Sequence, residues 1–262
     1  MTLRKAARLR MSEGETLQER CDLLAAVGFE GVDIPTPSDL DVAALADATS
    51  QAGIEVANVM AARSLRWYLS DPDPDVRTQG RQGLEISLRD AAAVGATSVL
   101  LPTLLADGVD PGEALEHTRE ELERVLPLME ELQVRVALEN NWNSFLTSAA
   151  ELAAFVDGFG SPWIVVHYDT GNARVFGPAD AWVDELGPRI HKVDLKDYSA
   201  RVADGDPDRG QAIELGEGDV DWAAVGAALR RIGYEGWISA ETPGSGREFL
   251  ERTFTAMDAV TG

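Results

Sequence analysis

Short apolar segments alternate with longer amphipathic segments along the whole chain. The amphipathic segments repeat apolar residues every three or four positions, which is typical of surface helices, and the apolar segments have the length of buried strands. In most cases a glycine ends the helix and a strand follows at once, because glycine adopts the left-handed conformation that turns the chain. Seven strands are predicted within residues 27–34, 52–59, 94–101, 132–139, 163–169, 190–195 and 232–241.

An eighth strand is expected in residues 3–11, where the alternation is weak. Strands that alternate with helices run parallel, so the chain forms either a closed barrel or an open doubly wound sheet. No predicted strand is followed by the Gly-x-Gly-x-x-Gly turn of dinucleotide-binding sheets. We therefore predict an α/β fold, a (β/α)8 TIM barrel, formed by residues 1–262 as a single domain.

A long polar segment, residues 200–218, lies between the seventh and eighth predicted strands. Loops in this position of a barrel lie on the catalytic face, at the carboxyl ends of the strands. The segment is interpreted either as a lid over a site or as a solvated excursion of the surface.

The chain carries 45 acidic and 23 basic residues among 262, which gives a formal net charge of −22. A surface this negative repels phosphate backbones and anionic lipids, so nucleic acids and membranes are poor partners. No apolar run approaches the roughly 20 residues of a membrane span, and residues 1–10 lack the features of a secretion signal, which predicts a cytoplasmic protein. The single cysteine, Cys21, excludes an intramolecular disulfide and a zinc cluster built from cysteines.

Acidic residues end four consecutive predicted strands, and they are Glu139, Asp169, Asp194 and Glu241. The carboxyl ends of barrel strands form the catalytic face, so these side chains are expected to converge. Carboxylates that lie close together in a protein interior must be protonated or neutralised. A divalent cation is the simplest neutralising group, and a set of oxygen ligands favours Mn²⁺ or Mg²⁺, with Co²⁺ or Zn²⁺ if a nitrogen lies nearby.

Lysine is rare in this chain, which has only Lys5, Lys192 and Lys196. Where arginine is the usual cation, a lysine at a strand end indicates a site that needs a compact, mobile ammonium group. Lys196 is therefore a candidate for contacting a substrate oxygen. Lys192 lies deeper in the same predicted strand and is interpreted as structural.

Two histidines lie in predicted strands near the acidic residues. His167 shares a strand face with Asp169, and it either lies below the metal or hydrogen-bonds a ligand. His191 has the opposite parity to Asp194 and is expected to face the helices.

Seven short motifs occur in order over nearly the whole chain, and together they are specific. They are GFEGVD at residues 28–33, DPDVR at 73–77, LENN at 138–141, YDTGN at 168–172, VDLKD at 193–197, GEGDVDW at 216–222 and AETPG at 240–244. This pattern resembles the sugar phosphate isomerase/epimerase family of the xylose isomerase-like TIM barrels, which includes ketose 3-epimerases. The resemblance implies a metal-dependent enzyme that acts on a keto-sugar or a sugar phosphate.

The resemblance implies that one divalent metal ion is held by Glu139, Asp169, Asp194 and Glu241. It also implies that Glu139 and Glu241 form an acid/base pair across the substrate. The sequence departs from the family pattern at Asp194, where the family usually has histidine, and at Asn172, where it often has histidine. A fourth carboxylate makes the metal site more anionic, which favours Mn²⁺ or Mg²⁺ and weakens the polarisation of a carbonyl.

On the same resemblance, Lys196, His167 and Asn172 contact substrate hydroxyls or the developing oxyanion, with Lys196 as a catalytic residue. Trp67 and Trp142, in loops after the third and fifth strands, either close the apolar side of the substrate pocket or are ordinary core residues. The turn at residues 244–247 opens a helix, where barrels often bind phosphate, although an ordinary loop entry explains it equally well.

Proton abstraction next to a carbonyl, by an isomerase or epimerase, is the favoured function. A lyase or dehydratase acting on a keto-sugar or a 3-keto-glycoside uses the same metal and base and differs only in a leaving group. A non-catalytic sugar-binding protein is a further alternative. A nuclease of the endonuclease IV type, which shares this fold, conflicts with the anionic surface. The expected partner is a small carbohydrate, and a homo-oligomer is expected by resemblance alone.

Overall fold

The structure, a computed structural model, describes residues 3–261. Eight parallel strands in this range close into a barrel in which each strand pairs with the next and the eighth pairs with the first. The strands are β1 Leu3–Arg8, β2 Gly31–Thr36, β3 Glu55–Ala61, β4 Ser98–Pro102, β5 Arg135–Glu139, β6 Ile164–Asp169, β7 Ile190–Leu195 and β8 Gly236–Ala240. The predicted (β/α)8 barrel is confirmed, including the weakly patterned first strand.

Helices lie between successive strands, and the last two in the described range follow β8. They are α1 Leu17–Val27, α2 Val42–Ala52, α3 Pro74–Ala93, α4 Pro111–Leu132, α5 Ala149–Asp157, α6 Thr170–Phe176, α7 Ala179–Leu186, α8 Ala200–Ala203, α9 Pro207–Gln211, α10 Trp222–Arg231, α11 Arg247–Ala256 and α12 Asp258–Thr261. Short 3-10 helices occupy Leu9–Met11, Ala62–Leu65 and Gly187–Arg189. Within residues 3–261, no helix combines the length and the apolar character that crossing a membrane requires.

Local sequence signals decide where these helices begin and end, as α1 illustrates. The Thr16 side chain accepts a hydrogen bond from the Glu19 N–H, and the Glu19 carboxylate accepts one from the Thr16 N–H, which forms a capping box. Gly28 follows the helix with a φ of 114°, a left-handed conformation that a residue with a Cβ atom adopts only with strain. The chain can therefore leave α1 and enter β2 within a few residues.

The barrel interior is polar below the carboxyl ends of the strands. Lys192 on β7 and Asp33 on β2 form a buried ion pair, with Nζ 2.6 Å from Oδ1. Ser98 on β4 donates to Asn58 Oδ1 on β3 at 3.2 Å, and both side chains are buried. Buried charges are tolerated when they are paired and hydrogen-bonded. Lys192 thus has the structural position expected from the sequence, where it links two strands that are not neighbours.

An irregularity in the pairing of β6 with β7 changes the orientation of His191. The register of the two strands shifts by one residue between Val166 and His167, so β7 accommodates an extra residue. The His191 ring lies at the amino end of the barrel, with Nε2 3.4 Å from the Thr97 hydroxyl beside β4, and burial lowers the pKa of His191 to about 4. The expectation that His191 faces the helices is wrong, because strand parity holds only where the strand is regular.

Candidate active site

Four carboxylates converge at the carboxyl end of the barrel. Glu139, Asp169 and Asp194 lie in the last residues of β5, β6 and β7 and are buried. Glu241 directly follows β8, and its side chain is 25% exposed. Each residue offers an oxygen atom, and these four oxygens all lie within 4.8 Å of one another. We call this set the carboxylate cluster, and it forms because a parallel barrel brings the ends of its strands to one mouth.

Two cations contact the carboxylate cluster. Lys196 Nζ lies 3.0 Å from Asp169 Oδ2 and 3.5 Å from Glu241 Oε1. Arg8, the last residue of β1, donates from Nη2 to Asp194 Oδ2 at 2.5 Å and to Glu241 Oε2 at 2.6 Å. The side chains of both cations are largely buried, so water and salt screen these contacts only weakly.

Arg8 was not among the site residues predicted from the sequence. The rule that selected the carboxylates, that residues at the carboxyl ends of barrel strands form the site, applies equally to β1 and its last residue. Because the alternation in residues 3–11 is weak, the last residue of that strand could not be assigned from the sequence, and the rule could not be applied to it. The one indication in the sequence was the position of Arg8, a basic residue close to the carboxyl end of the first predicted strand.

The carboxylate cluster fits a divalent cation. Among the described residues, Arg8 and Lys196 form ion pairs with three of its carboxylates, those of Asp169, Asp194 and Glu241. With all four carboxylates ionised, as ligands of a metal ion, these two cations leave two negative charges uncompensated. Asp194 Oδ1 is buried without a hydrogen-bond partner in that range, and Asp169 Oδ2 has only its ion-pair contact with Lys196. Buried charges and polar atoms need partners. A divalent ion answers both needs, and the all-oxygen donor set suits Mn²⁺ or Mg²⁺.

The two glutamates of the carboxylate cluster titrate differently. Burial raises the pKa of Glu139 well above its ordinary value, and the neighbouring carboxylates add to this effect, although Lys196 opposes it. Burial also acts on Glu241, but Arg8 and Lys196 outweigh it and hold the pKa of Glu241 below its ordinary value. Carboxyl groups whose environments move their pKa values apart are suited to act as acid and base.

A cavity of about 460 Å³ opens next to the carboxylate cluster, and Glu241 is part of its wall. Amide and carboxylate side chains make up much of the lining, among them Asn141, Asn143, Asp208 and Gln211. Such groups donate to and accept from hydroxyl groups, so the lining suits a small polyol.

Three of the predicted substrate contacts, Trp142, Asn172 and Lys196, line this cavity. His167 is fully buried beside the cluster instead, with its Nε2 3.0 Å from an oxygen of Asp194. Trp67 is not among the lining residues, and its ring is contacted by Arg63 and Arg66 of the segment after β3. The structure therefore brings together every predicted site residue except Trp67, with His167 on the protein side of the cluster.

The model of the xylose isomerase-like TIM barrel family matches residues 21–259 of the chain. The chain belongs to this family. The resemblance predicted from the seven sequence motifs is thus confirmed.

The chain is similar at low sequence identity to several known proteins. The L-ribulose-5-phosphate 3-epimerase UlaE of Shigella boydii serotype 18 is 24% identical over 240 residues, which cover 85% of this chain and 81% of that protein. Two solved structures match at 13–14% identity, a level at which the likeness establishes the fold. The 3-keto-D-glucoside 4-epimerase YcjR of E. coli has a TM-score of 0.83 and covers 99% of both chains. The IOLI protein with a bound zinc atom has a TM-score of 0.84 and covers 99% of this chain and 98% of that one.

In this chain, the segment between β7 and α10 lies over the cavity. Asp208 Oδ1 accepts a hydrogen bond from the Trp142 indole at 3.1 Å, and Gln211 donates to Asn172 Oδ1 at 2.8 Å. Asn172 in turn donates to Glu139 Oε1 at 3.3 Å, which connects the segment to the carboxylate cluster. Of the two interpretations of residues 200–218, the structure agrees with a lid over the site.

A single buried carboxylate, that of Asp197, holds the two ends of this lid together. Its Oδ1 accepts the N–H groups of Tyr198 and Val220, at 2.8 and 3.3 Å. Its Oδ2 accepts those of Gly216 and Gly218, at 2.8 and 3.0 Å. An ionised carboxylate is the one side chain that accepts this many backbone donors without offering a donor of its own. Sequence analysis recognised Asp197 only as one more acidic residue at the end of the seventh strand.

Asp197→Asn is expected to loosen the lid, because its amide N–H₂ faces one pair of backbone N–H groups and leaves them without an acceptor. Unsatisfied buried donors cost about 1–3 kcal/mol in the free energy of unfolding. Chemical denaturation measures this loss, and limited proteolysis with mass spectrometry is expected to locate faster cleavage within residues 200–218. The matched control is Asp206→Asn, which changes an exposed lid residue that accepts one backbone N–H, from Asp208. Equal proteolysis of the two variants contradicts the assigned role of Asp197.

The turn before α11 contacts an acidic residue. Ser245 Oγ donates to Glu13 Oε1 at 2.7 Å, and the Gly246 N–H donates to the Met11 carbonyl at 3.0 Å. Glu13 lies so close that a Cβ atom on Gly246 would be 3.1 Å from its Oε2. A carboxylate therefore lies at the turn where sequence analysis considered a phosphate group, and like charges at one turn repel.

Proposed function

We propose that this protein is a divalent-metal-dependent isomerase or epimerase that removes a proton next to the carbonyl group of a keto-sugar. The observation that carries the proposal is the presence of Glu139 and Glu241 in one carboxylate cluster with pKa values moved in opposite directions. The names of a similar protein and of a structural neighbour, an L-ribulose-5-phosphate 3-epimerase and a 3-keto-D-glucoside 4-epimerase, support the same class of reaction.

The metal ion would be held by Glu139, Asp169, Asp194 and Glu241. Mn²⁺ or Mg²⁺ is preferred because every donor is an oxygen, with Co²⁺ or Zn²⁺ as alternatives. When bound, such an ion supplies Lewis-acid polarisation of a carbonyl oxygen and stabilises the negative charge that develops on it.

Proton transfer is assigned to the two glutamates. Glu241, which stays ionised beside Arg8 and Lys196, takes the proton from the carbon next to the carbonyl. Glu139, whose raised pKa keeps a proton available, returns one to the opposite face of that carbon. Removal from one face and return to the other inverts the carbon centre, which is an epimerisation.

Lys196 and Asn172 are assigned to the substrate oxygens. Burial opposes the charge of Lys196, but Asp169 and Glu241 outweigh it and raise the lysine pKa, so the ammonium stays charged. It can then donate to an oxygen on which negative charge develops. Trp142 forms part of the cavity wall, and His167 is assigned to positioning the Asp194 carboxylate from below.

Free keto-sugars are expected to be better substrates than their phosphate esters, because the Glu13 carboxylate lies at the turn before α11. Like charges placed together reduce binding, so kcat/KM for L-ribulose 5-phosphate is expected to be at least about tenfold lower than for L-ribulose. Glu13→Gln is expected to narrow this difference, and Glu15→Gln, an exposed neighbour without contact to Ser245, serves as the control. A preference of the unchanged protein for the phosphate ester contradicts this expectation.

The proposed function is tested by metal content and proton exchange in the same samples. The protein is purified without a chelator or histidine tag, unchanged and as Asp194→Ala, and its metals are measured by mass spectrometry. We expect about one divalent ion per chain, lost in the variant, and metal-dependent exchange of a ketose proton with D₂O by NMR. An unsaturated product that absorbs in the ultraviolet would favour the lyase. Sugar binding without any metal, even after addition of Mn²⁺, Mg²⁺, Co²⁺ or Zn²⁺, would favour the non-catalytic alternative.

A further inference from the structure

The two cations at the carboxylate cluster have different positions relative to the cavity. Lys196 lines the cavity and can reach a substrate, whereas Arg8 is not among the lining residues. The Arg8 side chain is 9% exposed, and one of its nitrogens contacts both Asp194 and Glu241. A substrate in the cavity therefore meets Lys196 directly and meets Arg8 only through the carboxylates.

Arg8 and the metal ion would share the same ligands. Arg8 binds Asp194 through Oδ2 and leaves Oδ1 without a hydrogen-bond partner within residues 3–261. It binds Glu241 through Oε2, while Oε1 faces Lys196 at 3.5 Å. Each carboxylate thus has one oxygen engaged by the guanidinium and a second oxygen on another side. Simultaneous contact with Arg8 and with a cation in the cluster is compatible with this geometry.

We propose that Arg8 is a positioning residue that sets the charge of the metal site. Its positive charge offsets that of one carboxylate, so the four carboxylates and Arg8 together present a net charge of −3 to a divalent ion. This inference rests on the proposed function, since it assumes that the carboxylate cluster holds the metal. Its basis is the charge of the cluster when all four carboxylates are ionised as metal ligands. That charge is two negative charges with Arg8 and Lys196 present and three without Arg8.

On this proposal, Arg8 lowers the affinity of the site for the metal ion but raises the rate of the reaction. A fixed positive charge a few ångströms from the ion repels it, so Arg8 weakens metal binding. A more anionic ligand set cancels more of the charge of the ion, so Arg8 also preserves the polarising power of the site. A guanidinium suits this task because it is always protonated and forms charge-assisted hydrogen bonds to carboxylates in a fixed geometry.

Mn²⁺ affinity of four proteins tests the proposal: the unchanged chain, Arg8→Gln, Asp194→Asn and the double variant, each by isothermal titration calorimetry. The residual charge of the cluster is two negative charges in the unchanged chain and in the double variant, three in Arg8→Gln and one in Asp194→Asn. We expect Arg8→Gln to bind Mn²⁺ at least about tenfold more tightly than the unchanged chain, and Asp194→Asn at least about a hundredfold more weakly. Adding Arg8→Gln to Asp194→Asn is expected to recover at least about tenfold of that loss.

A second readout separates charge from packing. Metal-saturated Arg8→Gln is expected to exchange substrate protons at least about tenfold more slowly, although it binds Mn²⁺ more tightly. Arg8→Lys keeps the charge and is expected to keep the Mn²⁺ affinity within about threefold. The proposal is overturned if Arg8→Gln weakens Mn²⁺ binding, whether it is introduced into the unchanged chain or into Asp194→Asn. Arg8 would then contribute to packing alone.

The double variant keeps the test decisive if Arg8→Gln alone does not fold, because its cluster has the residual charge of the unchanged chain. Circular dichroism of each sample establishes that the variants are folded. Failure of the unchanged chain to bind any divalent ion would overturn the proposed function itself. If the unchanged chain binds Mn²⁺ but the Mn²⁺ affinities of the variants do not follow the expected order, only the role of Arg8 is overturned.

Discussion

Glu139→Gln is expected to lower the rate of substrate proton exchange by about 10²–10⁴-fold, the usual contribution of general acid/base catalysis, and to leave the barrel folded. Glutamine has the same shape and keeps one oxygen for a metal, but it carries no exchangeable acidic proton. The same loss is expected for Glu241→Gln, since proton removal and proton return each require one of the two groups. Exchange in D₂O is measured by NMR on Mn²⁺-loaded samples whose metal content is determined in parallel.

The control for both variants is Glu235→Gln. Glu235 is exposed and directly precedes β8, at the opposite end of the barrel from the carboxylate cluster, so the chemical change is the same while the site is untouched. We expect it to retain full exchange. Retained exchange in Glu139→Gln or Glu241→Gln, with the metal still bound, removes that residue from the acid/base role.

Lys192→Met is expected to destabilise the protein more than any surface substitution, by about 3–5 kcal/mol in the free energy of unfolding. The methionine keeps most of the apolar stem, but it leaves the Asp33 carboxylate buried without its partner, where Nζ now lies 2.6 Å from Oδ1. Urea unfolding followed by circular dichroism measures the loss.

The matched variant is Lys192→Met combined with Asp33→Asn. Removing both charges of a buried pair is far less costly than removing one, so we expect the double variant to recover more than half of the lost stability. A double variant as unstable as Lys192→Met alone would show that the loss comes from packing around the lysine stem. The uncompensated charge of Asp33 would then not be its cause.

The barrel itself could be predicted from the sequence because helix and strand periodicities are local properties of the chain. Glycines such as Gly28 mark the change from one periodicity to the other, and acidic residues such as Glu139 mark the strand ends. Parallel topology then converts four positions far apart in sequence into one cluster. The fold and the carboxylate cluster therefore followed from patterns that need no knowledge of tertiary contacts.

The remaining features depend on contacts that no local pattern encodes. The orientation of His191 follows from a register shift against β6, which depends on how two strands pair. The position of Trp67 depends on the path of the loop after β3, where its ring meets arginines rather than the cavity. The role of Asp197 depends on four N–H donors, of which those of Gly216 and Gly218 lie about 20 residues further along the chain. Each is a property of tertiary arrangement.

The role of residues 200–218 as a lid also could not be predicted from the sequence. The polar segment 200–218 was recognisable as a loop on the catalytic face, but its composition did not distinguish a lid from a solvated excursion. Two hydrogen bonds, from Trp142 to Asp208 and from Gln211 to Asn172, decide between these interpretations. Both connect loops that follow different strands, so their geometry exists only once the barrel has closed.

The contact between Arg8 and Glu241 joins residues 233 positions apart, and it lies where β1 pairs with β8. Synthesis on the ribosome proceeds from the amino terminus, so Arg8 emerges before both of its carboxylate partners, and Glu241 is the later of the two. Until Glu241 is synthesised, Arg8 has only one of its two counter-ions, Asp194, and one edge of the first strand lacks its neighbour β8. The closure of the barrel and the second ion pair of Arg8 are thus completed by the same late event, and a nascent chain that stops before residue 236 has neither.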